Sequence, residues 1–305
     1  MSDQGDNNFI TYIYRGEDGE IIPDYVTRII VDVSVRTILR RAFQEHPNIV
    51  EVICHNGVER IEEWAFYGCP NLRQVIMPGV IEVELEAFLE CEVLEDVECG
   101  KLEIIGRYAF QYCLRLRSIN LPSARIVGGF AFHYTALTNV RFGSKLERID
   151  ERAFSFSPVE SMTIPLKDGI FTADDIFQGC RDLKRVDVVE GALHDIIDAL
   201  QLKEWKDDMN EEIDSINQIL PNARVGHYID RDERGLDEDD GEKAQAMRRW
   251  IRSILGKVGH YQEEHQRVLR EAATTLQFAL PRDIAINNVL PFLDLPPHTF
   301  ELDEG

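Results

Sequence analysis

An Ala-Phe pair that returns about every 22 residues is the feature of this sequence that most constrains its fold. Successive phenylalanines of the six pairs are 23, 22, 22, 22 and 22 residues apart, and they are Phe43, Phe66, Phe88, Phe110, Phe132 and Phe154. A seventh unit follows 23 residues later at Ile176-Phe177, where isoleucine replaces alanine. Such a fixed period predicts a solenoid, because a single coil buries its apolar side chains only when it stacks on its neighbours.

Each unit also contains a short strand pattern. Five or six residues after the phenylalanine, an aliphatic residue opens a run in which apolar residues alternate, which is the strand period. Two of these runs are Leu72-x-x-Val75-x-Met77-Pro78 and Leu116-x-x-Ile119-x-Leu121-Pro122. A second apolar patch, such as Val58-x-x-Ile61, leads back to the next Ala-Phe pair. We therefore predict coils made of a strand, a turn, a short strand and a helical turn, with the phenylalanine inside the coil.

These motifs resemble the BspA-type leucine-rich repeat, of the form L-x-x-[IV]-x-[LI]-P…I-x-x-x-A-F-x-x-C. The resemblance covers residues 25–190 and implies about seven coils that bind other macromolecules on their strand face. The sequence departs from the pattern at Thr135 and Ser157, which replace the repeat cysteine, and at Ile176, so the last coils should be less regular.

Residues 9–24 are predicted to cap the first coil. Apolar residues alternate on both sides of Glu17-Asp18-Gly19, and Asp-Gly between alternating apolar residues is typical of a β-hairpin. Residues 1–24 are therefore assigned to a tail and a hairpin cap.

The six cysteines occupy repeat positions that other coils fill with apolar or small residues. Cys69, Cys91, Cys113 and Cys180 each lie three residues after a repeat phenylalanine, whereas Cys54 and Cys99 occupy the third inward strand position. No Cys-x-x-Cys pair indicates zinc. Stacked coils would bring some thiols within ~4.8 Å, which permits a disulfide, but parallel side chains make one unfavourable. We predict buried structural thiols.

The last third of the chain has a helical period. Apolar residues from Ile197 to Leu220 form one face of a helix that ends near Pro221, and a heptad-like seam typical of a coiled coil runs from Met247 to Ala272. We predict an antiparallel helical hairpin over residues 191–280, with an acidic loop at 230–242, and a short helix and tail at 281–305. The fold class is thus a leucine-rich-repeat solenoid followed by an α-helical hairpin, α/β overall.

Three motifs resemble functional sites only in part. The loop that begins at Asp230 lacks the acidic twelfth position of a calcium loop, and His260 and His265 are five residues apart instead of the four of a zinc-binding helix. The segment from Leu280 to Pro296 resembles the opening helices of an F-box, but the later helix is missing. We predict no catalytic, cofactor-binding or metal-binding residue and no enzymatic activity, with an enzyme and a ubiquitin-ligase substrate adaptor as the alternatives.

Charge argues against two classes of partner. The net charge is −22, and residues 1–190 and 191–305 each contribute −11. Nucleic acids and anionic membranes attract basic surfaces, so neither is an expected ligand. The polar, acidic start of the chain is unlike a signal peptide, and no apolar run reaches the roughly 20 residues that span a bilayer. The predicted location is the cytoplasm, with the nucleus as the alternative.

The outward strand positions supply the candidate binding site. Between the second and third inward residues of each coil lies one outward residue, and in the first six coils these are Ile30, Ile53, Ile76, Glu98, Asn120 and Arg141. An exposed apolar patch with a polar continuation is typical of a docking surface, although β-branched residues also stabilise neighbouring strands. We predict a non-enzymatic scaffold that binds an unidentified protein here. The hairpin is expected to bind a second partner or to form a homodimer.

Overall fold

The computed structural model of the chain describes residues 9–189, 203–223 and 241–279. These residues divide into two compact units. The first contains residues 9–189, 215–223 and 241–251, and the second contains residues 203–214 and 252–279.

The described strands alternate between longer and shorter segments along the chain. In order they are β1 Thr11–Tyr14, β2 Arg28–Val31, β3 Thr37–Ile38, β4 Glu51–Ile53, β5 Arg60–Ile61, β6 Gln74–Ile76, β7 Glu82–Val83, β8 Asp96–Glu98, β9 Ile104–Ile105, β10 Ser118–Leu121, β11 Ile126–Val127, β12 Asn139–Phe142, β13 Arg148–Ile149, β14 Ser161–Ile164 and β15 Arg185–Val188. A 3-10 turn spans Asp175–Phe177. The helices are α1 Lys203–Ile219, which continues into a 3-10 turn at Leu220–Asn222, and α2 Glu242–Ala279.

Parallel pairing of equivalent strands from successive coils builds the solenoid. The longer strands form one sheet in the order β1-β2-β4-β6-β8 and a second in the order β10-β12-β14-β15, while the shorter strands form a third. From β2 onwards each register joins residues about one repeat apart, as in Val52 to Val75. Strands β8 and β10 are neighbours but do not pair, so the outer strand face is divided into two sheets. The predicted repeat solenoid followed by two helices is confirmed.

The repeat phenylalanines form one stack through the coil interiors. Along the stack from Phe43 to Phe177, the ring centroids of neighbouring phenylalanines are 4.9–6.0 Å apart. The planes of neighbouring rings are inclined to each other by 4–11°. Each of these rings is buried. Tyr14 is tilted by 58° against Phe43 and ends the stack towards β1. Each buried ring stabilises the fold by about 1.5–3 kcal/mol, which explains why the period is kept so strictly.

The helical turn of each of the first six coils contains two residues with positive φ, one placed two residues before the repeat phenylalanine and one placed two residues after it. This region costs an L-residue roughly 1–2 kcal/mol, yet aromatic residues such as Tyr112 occupy it here. Eleven of these twelve N–H groups donate to carbonyls of the following coil, for example Tyr112 to His133 at 3.0 Å. The repeat phenylalanine does the same, as in Phe110 to Ala131 at 2.8 Å. These hydrogen bonds between coils stabilise the strained conformation of the turns.

The β-hairpin predicted for residues 9–24 is wrong. Strand β1 pairs with β2 in parallel, with Ile13 opposite Ile30, and is therefore the first strand of the solenoid. The Asp-Gly signal does mark a turn, since the Glu20 N–H donates to the Glu17 carbonyl at 3.1 Å. Residues 15–27 then form no strand, and Ile21 is 86% exposed. Alternating polarity in residues 11–14 suits either strand direction, so only the partner strand could decide between them.

The start of α2 closes the last coil within the first unit. The Lys243 ammonium donates to the carbonyls of Cys180 at 2.8 Å, Arg181 at 3.2 Å and Leu183 at 2.9 Å. The Asn217 side-chain carbonyl accepts the Val186 N–H at 2.8 Å. These side chains satisfy backbone groups that no further coil would reach.

In the second unit, α1 and α2 run antiparallel, as predicted. Lys257 of α2 forms ion pairs of 2.9 Å with both Asp208 and Glu212 of α1, and Tyr261 donates to Asp208. One α-helical turn later on α2, His265 contacts Trp205, which precedes Asp208 on α1. Contacts further along α2 are thus made with earlier residues of α1, as expected for antiparallel helices.

Some of the predicted helical and loop residues are placed differently or fall outside the description. Glu242, predicted to end the acidic loop, begins α2 instead, and Gly241 before it is buried. The rest of the loop (230–240), the start of the first helix including Ile197 and Leu200, and the segment 281–305 lie outside the described residues.

Candidate protein-binding face

The outward side of the first sheet carries an unbroken row of isoleucines. Ile13, Ile30, Ile53 and Ile76 are direct neighbours on β1, β2, β4 and β6, and Glu98 of β8 follows Ile76. We call the four isoleucines the isoleucine row. Strands in a sheet lie ~4.8 Å apart, so the row is about 14 Å long.

The isoleucine row is open to solvent although its neighbours are polar. Ile13 is 49% exposed and Ile30 39% exposed, while Ile53 and Ile76 are half-buried. The adjacent outward positions hold an Arg28–Glu51 ion pair and a hydrogen bond of 2.9 Å from Gln74 to Asp96. Because these polar side chains are paired with each other, the isoleucine row beside them is left as an apolar stripe.

The polar part of the predicted site lies on the second sheet. Asn120 of β10 is opposite Arg141 of β12, and both side chains are exposed. Thr163 and Asp187 continue that row. The structure therefore brings Ile30, Ile53, Ile76 and Glu98 together, and it places Asn120 and Arg141 together beyond the unpaired β8–β10 boundary.

Ile13 is a residue of this row that the sequence analysis missed. Its position was assigned to a hairpin, which hid the equivalence of Tyr12-Ile13-Tyr14 with Ile29-Ile30-Val31. The signal was present in the alternation of these residues, because Tyr14 occupies an inward, buried position like that of Val31.

A second surface feature, on the helical turns, was also missed. Tyr112, Tyr134 and Phe156 each lie two residues after a repeat phenylalanine, and their rings stack with centroids 5.4 and 5.0 Å apart. We call these three residues the aromatic ladder. The same position holds Glu45, Gly68, Glu90 and Gly179 in other coils, so the repeat numbering alone would have identified it.

His133 lies beneath the aromatic ladder and is buried. Its Nδ1 is hydrogen-bonded to the Ser155 hydroxyl, which in turn donates to the Arg152 carbonyl at 2.9 Å. Burial lowers the pKa of His133 to about 4, so the ring is neutral near pH 7. Ser155 has no exposed surface, which leaves it unsuited to act as a nucleophile on a substrate. This Ser–His contact therefore satisfies buried polar groups.

The cysteines are core residues, as predicted, and all six are free and buried. Four repeat cysteines donate to the carbonyl of the phenylalanine one coil earlier, as in Cys69 to Phe43 at 3.0 Å and Cys180 to Phe154 at 2.9 Å. Ser157 replaces this bond with one of 2.6 Å to Phe132. Burial raises the pKa of Cys54, Cys99 and Cys180 to about 12, so these thiols are poor nucleophiles.

The described residues contain neither a cluster of three or more potential metal-binding side chains nor a helix suited by length and hydropathy to cross a membrane. Of the two histidines considered as zinc ligands, His265 packs edge-on against Trp205 with ring centroids 6.4 Å apart, and His260 is exposed.

Comparison with known proteins gives one family match. A family model described as "BspA type Leucine rich repeat region" matches residues 24–124 and 103–199, with 6 copies. Comparison with curated proteins gave no significant match.

Several solved structures are similar in part. A leucine rich cell surface protein from Faecalibacterium prausnitzii A2-165 is 22% identical, over 59% of this chain and 48% of that chain, with a TM-score of 0.44. A leucine rich repeat protein from T. pallidum is 25% identical over 59% and 69% of the two chains, with a TM-score of 0.38. A leucine-rich repeat protein from Bacteroides ovatus is 19% identical over 51% and 59%, with a TM-score of 0.23. The match thus spans about half the length of the first of these proteins.

Proposed function

Because the chain belongs to the BspA-type leucine-rich repeat family, whose model matches more than half of its residues, we propose that it is a non-enzymatic scaffold that binds a protein partner on the isoleucine row. Leucine-rich repeat proteins are generally scaffolds for protein interactions, and solenoids offer extended surfaces for that purpose. The observation that carries the proposal is the unbroken row of exposed or half-buried isoleucines, Ile13, Ile30, Ile53 and Ile76, across four paired strands.

The geometry of the row favours an elongated apolar element of the partner. One turn of an α-helix rises 5.4 Å, close to the ~4.8 Å between rungs, so an apolar helix stripe would contact successive isoleucines. Beyond Ile76 the surface is acidic, because Asp96 and Glu98 are both exposed. Together with the net charge of −22, this favours a partner that has basic residues next to its apolar stripe.

The proposal is tested by affinity capture with the Ile53→Thr/Ile76→Thr variant. Threonine keeps the β-branched shape that stabilises neighbouring strands but removes apolar contact area. We expect binding of the captured partner to weaken at least about tenfold, since two central apolar contacts are lost. Binding is measured by titration of the purified partner.

The matched control is Asn120→Thr/Arg141→Thr, which makes the same kind of change on the second sheet. It should leave binding of that partner unchanged. Equal binding by the wild type and the isoleucine variant, at equal thermal stability, would refute the assignment of the row. A loss in the control variant alone would move the site to β10 and β12.

The remaining parts of the proposal concern the helices and the location of the protein. We propose that the hairpin provides a second contact, that nucleic acid and membrane are not ligands, and that the protein acts in the cytoplasm or nucleus. The alternative function is a substrate adaptor of a ubiquitin ligase through the F-box-like segment from Leu280 to Pro296. Deletion of residues 281–305 separates the two functions, because an adaptor loses ligase subunits while a scaffold keeps its partner.

A further inference from the structure

Within the described part of the chain, the first strand of the solenoid has one edge that no other strand pairs with. The carbonyls of Ile10 and Tyr14 accept N–H groups of Arg28 at 3.1 Å and Asp32 at 2.9 Å, so these residues and Tyr12 face β2. In a parallel strand the intervening residues then direct their N–H and C=O groups to the opposite edge. Those residues are Thr11 and Ile13, and no hydrogen bond to their backbone on that edge comes from the described part of the chain.

The two ends of the solenoid differ in whether other residues satisfy the backbone groups of the terminal strand. At the last coil, Asn217 accepts the Val186 N–H and Lys243 binds three carbonyls, so that end is closed by side chains. Strand β1 has no such cover from the described residues. Terminal coils of repeat proteins are generally capped, so the open edge of β1 in the described structure is a position that an additional strand can cover.

The chemistry of this edge favours strand addition. The segment Phe9–Tyr14 has no charged residue and no proline, although Lys and Pro are common protections of exposed edges. Ile10 and Ile13 of this segment are large apolar side chains that are 48% and 49% exposed. Such an edge is a template for pairing with another chain.

We propose that β1 pairs antiparallel with β1 of a second copy of this chain. In the register that places Tyr12 opposite Tyr12 of the partner subunit, Thr11 lies opposite Ile13 of the partner subunit. Both of these residues direct their backbone groups to the open edge, so the two symmetric pairs form four hydrogen bonds. The isoleucine rows of the two copies then lie on the same face of the joined sheet, offset by two residues.

Self-complementarity favours a second copy as the occupant. Two copies that each carry −22 repel at long range, so a contact between them must lie where the facing strands have no charged residue, and β1 is such a strand. The proposed register also places Arg15 opposite the aromatic ring of Phe9 of the partner subunit, a favourable cation–π pair. Arg28 already stacks on Phe9 in this way within one chain, with its guanidinium carbon 3.8 Å from the ring centroid. The edge is thus complementary to itself, as a two-fold interface must be.

The first test is the oligomeric state of Thr11→Pro, measured by sedimentation velocity from low to high micromolar concentration. Proline removes an N–H that points to the open edge, so pairing with β2 and all four isoleucines are retained. We expect dimers for the wild type and for the control Thr11→Val, which keeps the N–H. The proline variant should dissociate at least tenfold more readily at an unchanged melting temperature.

The second test is a disulfide across the two-fold axis. Directly opposite residues of a non-hydrogen-bonded antiparallel pair have Cα atoms about 4.5 Å apart, within the range of a disulfide. Mild oxidation of Tyr12→Cys should therefore give a covalent dimer, because the six native thiols are buried. The control Thr11→Cys should link far more slowly, since residue 11 lies opposite residue 13 in this register.

Three results would overturn the proposal. A wild-type chain that stays monomeric at every concentration has no such interface. A dimer that survives Thr11→Pro uses another surface, such as the helices. A different protein that is captured by the wild type and lost in Thr11→Pro identifies a foreign strand as the occupant. None of these results depends on partner binding at Ile53 and Ile76, because Thr11→Pro leaves both isoleucines unchanged.

Discussion

Individual residues in the helical turns adopt a conformation that their side chains disfavour. All eleven non-glycine residues with positive φ in the described chain lie two residues before or two residues after a repeat phenylalanine. Glycine occupies the second of these positions only at Gly68 and Gly179. The strain is therefore a property of the repeat and is offset by hydrogen bonds between coils.

We expect Glu90→Gly to stabilise the protein. Glu90 has a φ of 61°, and glycine relieves a cost of roughly 1–2 kcal/mol, partly offset by the greater freedom of the unfolded chain, for a net gain of about 0.5–1 kcal/mol. Gly68→Ala should have the opposite effect, because its new Cβ also meets the Glu45 Cγ at 3.2 Å. Urea denaturation measures both changes, and a loss of stability in Glu90→Gly would contradict the account.

His133 predicts a dependence of stability on pH. Its folded pKa is about 4 because of burial, whereas that of a histidine in the unfolded chain is about 6.5. Between these values the unfolded chain binds more protons, so the free energy of unfolding falls as the pH is lowered from about 6.5 towards 4, by at most about 3 kcal/mol. Denaturation at a series of pH values measures this slope. His133→Gln should show a smaller slope, and equal slopes would rule out the buried neutral imidazole.

The thiols predict low reactivity in the native state. All six are buried, and burial raises the pKa of Cys54 to about 12. A disulfide-exchange reagent should label almost none of the six in the folded protein and all six after denaturation without reductant. Fewer than six thiols in the denatured protein would instead reveal a disulfide.

At the scale of elements, the end of α1 and the start of α2 act as the closure of the last coil. Besides Lys243, the Arg248 guanidinium donates to the carbonyl of Phe171 at 3.1 Å and pairs with Asp174. The pKa of Asp174 is lowered by its hydrogen bond from Arg248. These contacts join sequence positions more than 60 residues apart, which explains why the helical period alone did not identify them.

Lys243→Met is expected to destabilise the solenoid. Methionine fills a similar volume but leaves the carbonyls of Cys180 and Leu183 without a donor, which costs about 1–3 kcal/mol. Arg249→Met is the control, because Arg249 is an exposed residue of the same helix. Thermal unfolding followed by circular dichroism compares the two variants. The closure assigned to Lys243 would be disproved by equal melting temperatures.

At the scale of the whole molecule, the solenoid needs part of the helical region. The first compact unit extends through residue 251, although the repeats end near residue 189. The polar closure made by Asn217, Lys243 and Arg248 is lost if the chain is cut after residue 189. The end of the repeats in the sequence is thus not the end of the part of the chain that stabilises the solenoid.

Two truncations test this expectation. The chain 1–189 should melt at a lower temperature or aggregate, because the closure of its last coil is gone and the carbonyls and apolar groups there meet solvent. The chain 1–251 keeps the closure and should melt within a few degrees of the full-length solenoid transition. Equal melting temperatures for both truncations would show that the last coil is stable when open.

Much of the fold follows from local pattern. The 22-residue spacing sets Phe88 above Phe66, and alternating polarity directs Val52 inward and Ile53 outward, so the solenoid, its core and most of the isoleucine row were predictable. The cysteines followed for the same reason, since a shared repeat position means a shared environment.

What only the tertiary structure decided depends on partners distant in sequence. The parallel direction of β1, and with it the place of Ile13, was settled by the strand it meets and not by its own residues. The unpaired β8–β10 boundary, which separates Glu98 from Asn120, leaves no mark in the repeat. Lys243 would ordinarily be solvent-exposed on a helix, and its burial depends on carbonyls that the last coil leaves free. Periodicity determines whether a side chain points into or out of the solenoid. How the terminal coils are closed is determined by the residues that pack against them, which the repeat does not specify.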